Sequence, residues 1–136
     1  MKGRGYQGLE AWQKAMDLAV QCCRAFRCSP ESDAYVLATL ILRAAVAIPA
    51  NIAQGHESES KAATIRHLSV AIGSLAKLET EIEIAQRVEY ISLENAQRML
   101  ALAEVVESLV DQLLCRAQGK GPGPLTQDTR PPISNN

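Results

Sequence analysis

Residues 37–55 read LATLILRAAVAIPANIAQG, and the apolar positions Leu37, Leu40, Ile41, Ala44, Ala45, Ile48 and Ile52 recur at threes and fours. That period lines one face of an α-helix and fits no strand, whose side chains alternate every second residue. Two residues inside the stretch set its shape. Pro49 has no N–H to give the carbonyl of Ala45 and its ring crowds that carbonyl, so a kink between Ala45 and Pro49 is expected. Gly55 can take the left-handed conformation that follows a helix end, so the helix is read as stopping there. Upstream, Ser29 and Pro30 with Glu31 and Asp33 supply an N-cap, a preset first position and acidic side chains at the positive end of the dipole, which places the start of this second helix at Ser29–Pro30.

The same reading extends in both directions. Leu9, Trp12, Met16, Ala19, Cys23 and Phe26 line a first helix over residues 8–28. Ile65, Leu68, Ile72, Leu75, Leu78, Ile82 and Ala85 line a third, capped by Ser58 or Ser60. Near Tyr90 the pattern breaks, and Ser92 with Glu94 restarts a fourth helix carrying Leu93, Ala96, Leu100, Ala103, Val106, Leu109 and Leu113, closed by Arg116 and Gly119. Short links favour antiparallel neighbours, so the expected fold is all-α, an antiparallel up-down-up-down four-helix bundle over residues 8–119. Residues 1–7 are expected to be a flexible start. Residues 120–136, with Pro122, Pro124, Pro131 and Pro132 among Gly, Thr, Ser and Asn, are expected to be a disordered tail.

Composition narrows the function classes. The 136 residues suit one domain. A net charge of −1 gives no molecule-wide field for a polyanion. Residues 1–66 hold eight Lys/Arg against six Asp/Glu, and residues 67–120 hold five against eight, so the first half is mildly basic and the second acidic. Cys22, Cys23, Cys28 and Cys115 form no C-x-x-C pair, which argues against a disulfide framework or zinc site and for a reduced, cytoplasmic setting. No apolar stretch is read as approaching the roughly 18 residues of a membrane span, so no membrane partner is expected. P-loop, G-x-S-x-G, H-E-x-x-H and dinucleotide fingerprints are missing, so no enzyme activity and no cofactor are expected.

Candidate functional residues fall into two groups. Arg43, Ala47, Asn51 and Gln54 share a side of the second helix, either as an assembly surface or with Asn51 and Gln54 satisfying backbone groups freed by Pro49. Gly73 sits mid-helix, where glycine costs roughly 1 kcal/mol relative to alanine, and is read as marking close approach of a neighbouring helix. Arg24, Arg27, Lys61, Arg66 and His67 are the candidates for nucleic-acid contact, a modest patch that copy number in an oligomer would multiply; the alternative is ordinary solubility charge. Trp12 and Tyr6 could stack on a base, but Trp12 lies on the apolar stripe and reads as a core anchor. Glu79, Glu81 and Glu83 with Glu89, Glu94 and Glu104 lack the Glu-x-x-His pairs of a carboxylate-bridged metal centre and read as a solvated acidic face.

Three stretches carry a resemblance. The segment ending in IPANIAQG resembles R-A-x-S-I-P-A-N-I-A-E-G in the four-helix bundle proteins encoded in intervening sequences of bacterial 23S rRNA genes, a family that extends to accessory variability proteins of diversity-generating retroelements. Leu9, Trp12, Lys14 and Ala15 are similar to the family's L-x-x-W-x-K-A opening, and AIGSLAKLETEIEIA at residues 71–85 to its A-x-G-S-x-x-E-L-E-x-x-L-x-x-A. Leu40, Ala47 and Gln54 stand where the family pattern most often has Gln, Ser and Glu, and Lys77 replaces the first Glu of the third-helix motif. The resemblance implies a ring-like homo-oligomer, a pentamer, with no catalytic residues to carry over. From the retroelement branch it implies binding of RNA or DNA and a reverse transcriptase as protein partner. A module that binds only protein is the alternative.

Overall fold

The computed structural model describes residues 5–119. A single 3₁₀ turn, Tyr6–Gly8, leads into four helices: α1 (Glu10–Ala25), α2 (Tyr35–Glu57), α3 (Lys61–Arg87) and α4 (Leu93–Ala117), and the described residues contain no strand. The expected tail at 120–136 and residues 1–4 lie outside the described residues. The Tyr6 ring packs on Trp12 with centroids 5.4 Å apart.

Local chemistry sets most helix ends. The Ser60 hydroxyl accepts the Ala63 N–H at 3.0 Å and the Ser92 hydroxyl accepts that of Asn95 at 3.0 Å, so both read caps are present. Gly119 takes φ 79° after α4. The end of α3 uses a less suitable residue. Glu89 adopts φ 66°, while Tyr90 N–H bonds the Ala85 carbonyl at 2.8 Å and Glu89 N–H bonds that of Gln86 at 3.0 Å. This is a Schellman ending with glutamate where glycine is favoured.

Two boundaries of α2 differ from the reading. Ser29 and Pro30 do not start it. Residues 29–34 form turns instead, with the Ser32 N–H donating to the Ser29 carbonyl and the Ala34 N–H donating to the Ser32 hydroxyl oxygen, and the helix begins at Tyr35. Gly55 does not stop it, since the helix continues to Glu57 and runs as one α-helix through Pro49.

The core is built from small and branched side chains. Ala11, Ala15, Leu18 and Cys22 of α1 meet Ile41, Ala45, Ile48 and Ile52 of α2, Leu68, Leu75, Leu78 and Ile82 of α3, and Met99, Ala103, Val106 and Val110 of α4. The face of α1 is thus turned by one position from the expected stripe: Met16 and Cys23 are exposed and Trp12 is half-buried against the core. Alanines lining the inner face let helices approach closely, a gain that side-chain hydropathy does not register. The Cys22 thiol, 3.9 Å from the Met99 sulfur, behaves as a core group, and burial together with neighbouring Cys23 pushes its pKa up to about 12.

Contacts at the helix ends fit helices that alternate in direction. The start of the described chain at Gly5 approaches Glu57, Gly119 approaches Lys61, and the Tyr90 hydroxyl donates to the Asp33 carbonyl at 3.1 Å.

Candidate functional site

α2 carries more apolar surface than the bundle covers. By length and composition it is apolar enough to cross a bilayer, with mean hydropathy 1.9, which corrects the expectation that no stretch approaches that limit; 39% of its most apolar window is buried inside the bundle. Buried core helices meet the same criterion. What remains forms a stripe on the outer side: Val36 is 70% exposed, Leu40 37% and Val46 52%, and Arg43, Ala50 and Gln54 are exposed among them.

Close packing against α3 fixes one edge of this stripe. The Asn51 amide nitrogen donates to the Ala47 carbonyl at 2.8 Å, and its oxygen lies 3.1 Å from Nδ1 of His67. With the Asn51 nitrogen committed as donor, its oxygen is the acceptor, so His67 carries a proton on Nδ1. Asn51 therefore bonds Ala47 and α3 rather than the Ala45 carbonyl freed by Pro49, and exposed Gln54 makes no such repair. Gly55 has a packing reason: an added Cβ would lie 3.3 Å from Cβ of His67, 3.4 Å from the Thr64 carbonyl oxygen and 3.5 Å from Leu68 Cγ. The Thr64 hydroxyl donates to the Gly55 carbonyl at 2.9 Å across the same contact.

Gly73 behaves in the opposite way. A Cβ there would meet nothing within 4 Å, so no neighbouring helix of this bundle approaches it. The expectation of a close intramolecular contact is corrected, and Gly73 lies on exposed surface in line with Val70 and Lys77.

The five candidates for nucleic-acid contact do not form one patch. Lys61 and Arg66 are exposed on the first turns of α3, and His67 beside them is held by Asn51. Arg24 and Arg27 lie before α2, whose 23 residues separate the two groups by roughly 35 Å. At that end Arg24 faces Arg98 across an open cleft of about 390 Å³, also lined by Gln21 and Asn95 with Ala25 and Met99. Arg98 escaped the sequence reading because its place opposite Arg24 depends on how α1 and α4 pack. Arg27 lines a second cavity with Asp33, Glu89 and Tyr90.

The acidic residues separate into two environments. Burial and the nearby Glu107 and Glu104 push the Glu79 carboxyl up, and burial raises that of Asp111; Glu104, Glu107 and Asp111 line one groove of about 420 Å³ on α4. Glu81 is not part of a solvated face as expected. It is 7% exposed, its Oε1 has no hydrogen-bond partner, and burial raises its pKa while Lys77 partly offsets the rise. Among the described residues no group of three or more His, Cys, Asp or Glu side chains is placed to hold a metal ion.

A sequence profile described as 23S rRNA-intervening sequence protein matches residues 7–112. The chain belongs to this family. The matched span of the 23S rRNA-intervening sequence family covers all of α1 to α3 and most of α4. Among solved structures, this chain is similar to a protein of unknown function from the S23 ribosomal protein family of Bacteroides thetaiotaomicron VPI-5482, with TM-score 0.72 and 24% identity over 76% of this chain and 97% of that one. That likeness supports the fold of this chain. No curated protein matches the chain.

Proposed function

We propose that the protein is a cytoplasmic, homo-oligomeric scaffold without a reaction of its own, which associates with nucleic acid. The observation that carries this reading is the uncovered apolar stripe of Val36, Leu40 and Val46 on α2, beside a Gly73 that nothing in the bundle approaches. Apolar surface gathered on one face of a soluble helix marks a contact with another macromolecule. Membership in the 23S rRNA-intervening sequence family supports a setting close to RNA. Contact with phosphates is supported by the exposed Lys61 and Arg66 at one end and by Arg24 facing Arg98 at the other. Each cluster is small, so repetition around an assembly is what makes it useful.

Electrophoretic mobility shift with structured RNA and DNA over a salt series tests the nucleic-acid part. Binding should weaken steeply as salt rises and be lost in the double variant Lys61→Glu, Arg66→Glu, because each phosphate contact releases counterions. No shift at low salt refutes it and leaves a scaffold that binds protein alone.

A further inference from the structure

Among the described residues Glu81 is the one charged side chain that is buried, and its Oε1 has no hydrogen-bond partner. Its place follows from the register of α2 and α3. Asn51 bonds His67 and Gly55 bonds Thr64, so the two helices run in opposite directions along their contact. Glu81 comes about four turns after His67 and so returns to the side of α3 that faces α2, level with Leu37, about four turns before Asn51. Val36 and Leu40, both exposed, flank that level on α2.

A carboxylate is held there at a cost. When ionised it spreads its charge over both oxygens, and the sealed one receives no donor in exchange for the water it has lost. When protonated on the outer oxygen it leaves a neutral carbonyl oxygen at Oε1, whose isolation costs less. Burial accordingly raises the Glu81 pKa, and Lys77, one turn earlier, partly offsets the rise. Lys77 is the charged group that bears on it. From α2 the one charged side chain before His56 is Arg43, which is exposed; on α4, Arg98 is paired with Glu94, and Glu104 and Glu107 bear on Glu79.

We propose that Glu81 is a pH-responsive latch between α2 and α3: protonated, it lets the helices close, and ionised, it loosens the half of α2 that carries Val36 and Leu40. The charged oxygen gains a donor, water or the Lys77 ammonium, only if the contact opens at that level. The folded state holds this proton more tightly than the unfolded chain, so the latch is fully closed below the ordinary value of 4.5 and is released as pH rises through the raised value.

Two measurements on the full chain test the latch. An NMR titration follows the Glu81 carboxyl, assigned through its backbone, and native hydrogen exchange follows the amides of residues 35–45, each rate referred to that of an unstructured chain at the same pH. The carboxyl should titrate above 4.5, and protection of these amides should fall several-fold across the same midpoint. Glu81→Gln, uncharged and matched in size, should keep its protection at high pH. Lys77→Gln removes the charge that favours the ionised form and should move the midpoint to higher pH. Glu79 and Asp111 also have raised pKa values and are retained in Glu81→Gln, so any pH response that they cause persists in that variant. A carboxyl titrating at or below 4.5, or a Glu81→Gln chain that loses protection as wild type does, overturns the proposal. Should Glu81→Gln not fold, the wild-type titration decides alone.

Discussion

Gly55→Ala isolates the contact that fixes α2 against α3. In the interior of a helix the change from glycine to alanine favours folding by about 1 kcal/mol through propensity alone. Opposing it, the new methyl would stand 3.3 Å from Cβ of His67 and 3.4 Å from the Thr64 carbonyl oxygen. Carbon atoms attract best at about 3.5–4.0 Å. Neither neighbour can rotate away, because one is the first atom of its side chain and the other is backbone of α3. The helices must separate by a few tenths of an ångström, and the buried Ile52 and Leu68 near the contact lose fit. Overpacking of this kind costs about 1–3 kcal/mol. Taking about 2 kcal/mol, the net effect is destabilisation by about 1 kcal/mol.

Gly73→Ala is the internal control. It has the same propensity gain and meets nothing within 4 Å, so the dissociated chain should be stabilised by about 1 kcal/mol. The two variants should differ by about 2 kcal/mol, which for a bundle of this size separates their thermal midpoints by roughly 8 °C. Urea unfolding followed by circular dichroism, at a concentration low enough that the midpoint no longer depends on it, gives the values. Equal stabilisation by both substitutions would refute the close-contact account of Gly55.

Other outcomes follow from particular residues. Glu89→Gly, which relieves φ 66° in a side-chain-bearing residue at the end of α3, should stabilise the chain by roughly 0.5–1 kcal/mol in the same urea assay, and a loss of stability would count against the Schellman reading. The raised pKa of Glu79 means that the folded state holds its proton more tightly, so this stabilising contribution is full below the ordinary value of 4.5 and fades as pH rises through the raised value. Glu79→Gln should accordingly lessen the fall in stability as pH rises above 4.5, whereas an unchanged fall would contradict the crowding of carboxylates. In native thiol labelling at pH 8, exposed Cys23 should react at least about tenfold faster than Cys22, held in the core with a pKa of about 12, and equal rates would show that the α1 core face is wrongly placed.

What the sequence made legible was local. Ser60, Ser92 and Gly119 announce their helix ends because a cap depends on residues within one turn, and the apolar repeats of α3 and α4 are long enough to define a face. The Ser29–Pro30 start misled because Ser-Pro also initiates turns, and Ser32 and Asp33 bring turn chemistry of their own. Tertiary contacts, namely Phe26 in the core and Tyr90 on the Asp33 carbonyl, then tie down the turns of 29–34. The α1 face was misread by one position since Ala11 and Ala15 carry little hydropathy, yet their size lets the helices meet. Gly55 and Gly73 look alike in sequence. Only the packed bundle separates a glycine that a neighbour needs from one that no neighbour reaches.

The candidate site was half visible for the same reason. Arg43, Asn51 and Gln54 share an edge of α2 by spacing alone. That His67 bonds Asn51, that Arg24 faces Arg98, and that Glu81 is buried without a partner for one oxygen are consequences of how separate helices meet, and no periodicity in one segment reports them.

The exposed apolar stripe of α2 as an assembly surface is tested most directly by the molar mass of the full chain at micromolar concentration, measured by light scattering during size exclusion. A whole-number multiple of the 14.7 kDa chain that dissociates when Val36 and Leu40 are both changed to Glu is the predicted result. A mass of one chain for the wild type, unchanged across concentration, would contradict it.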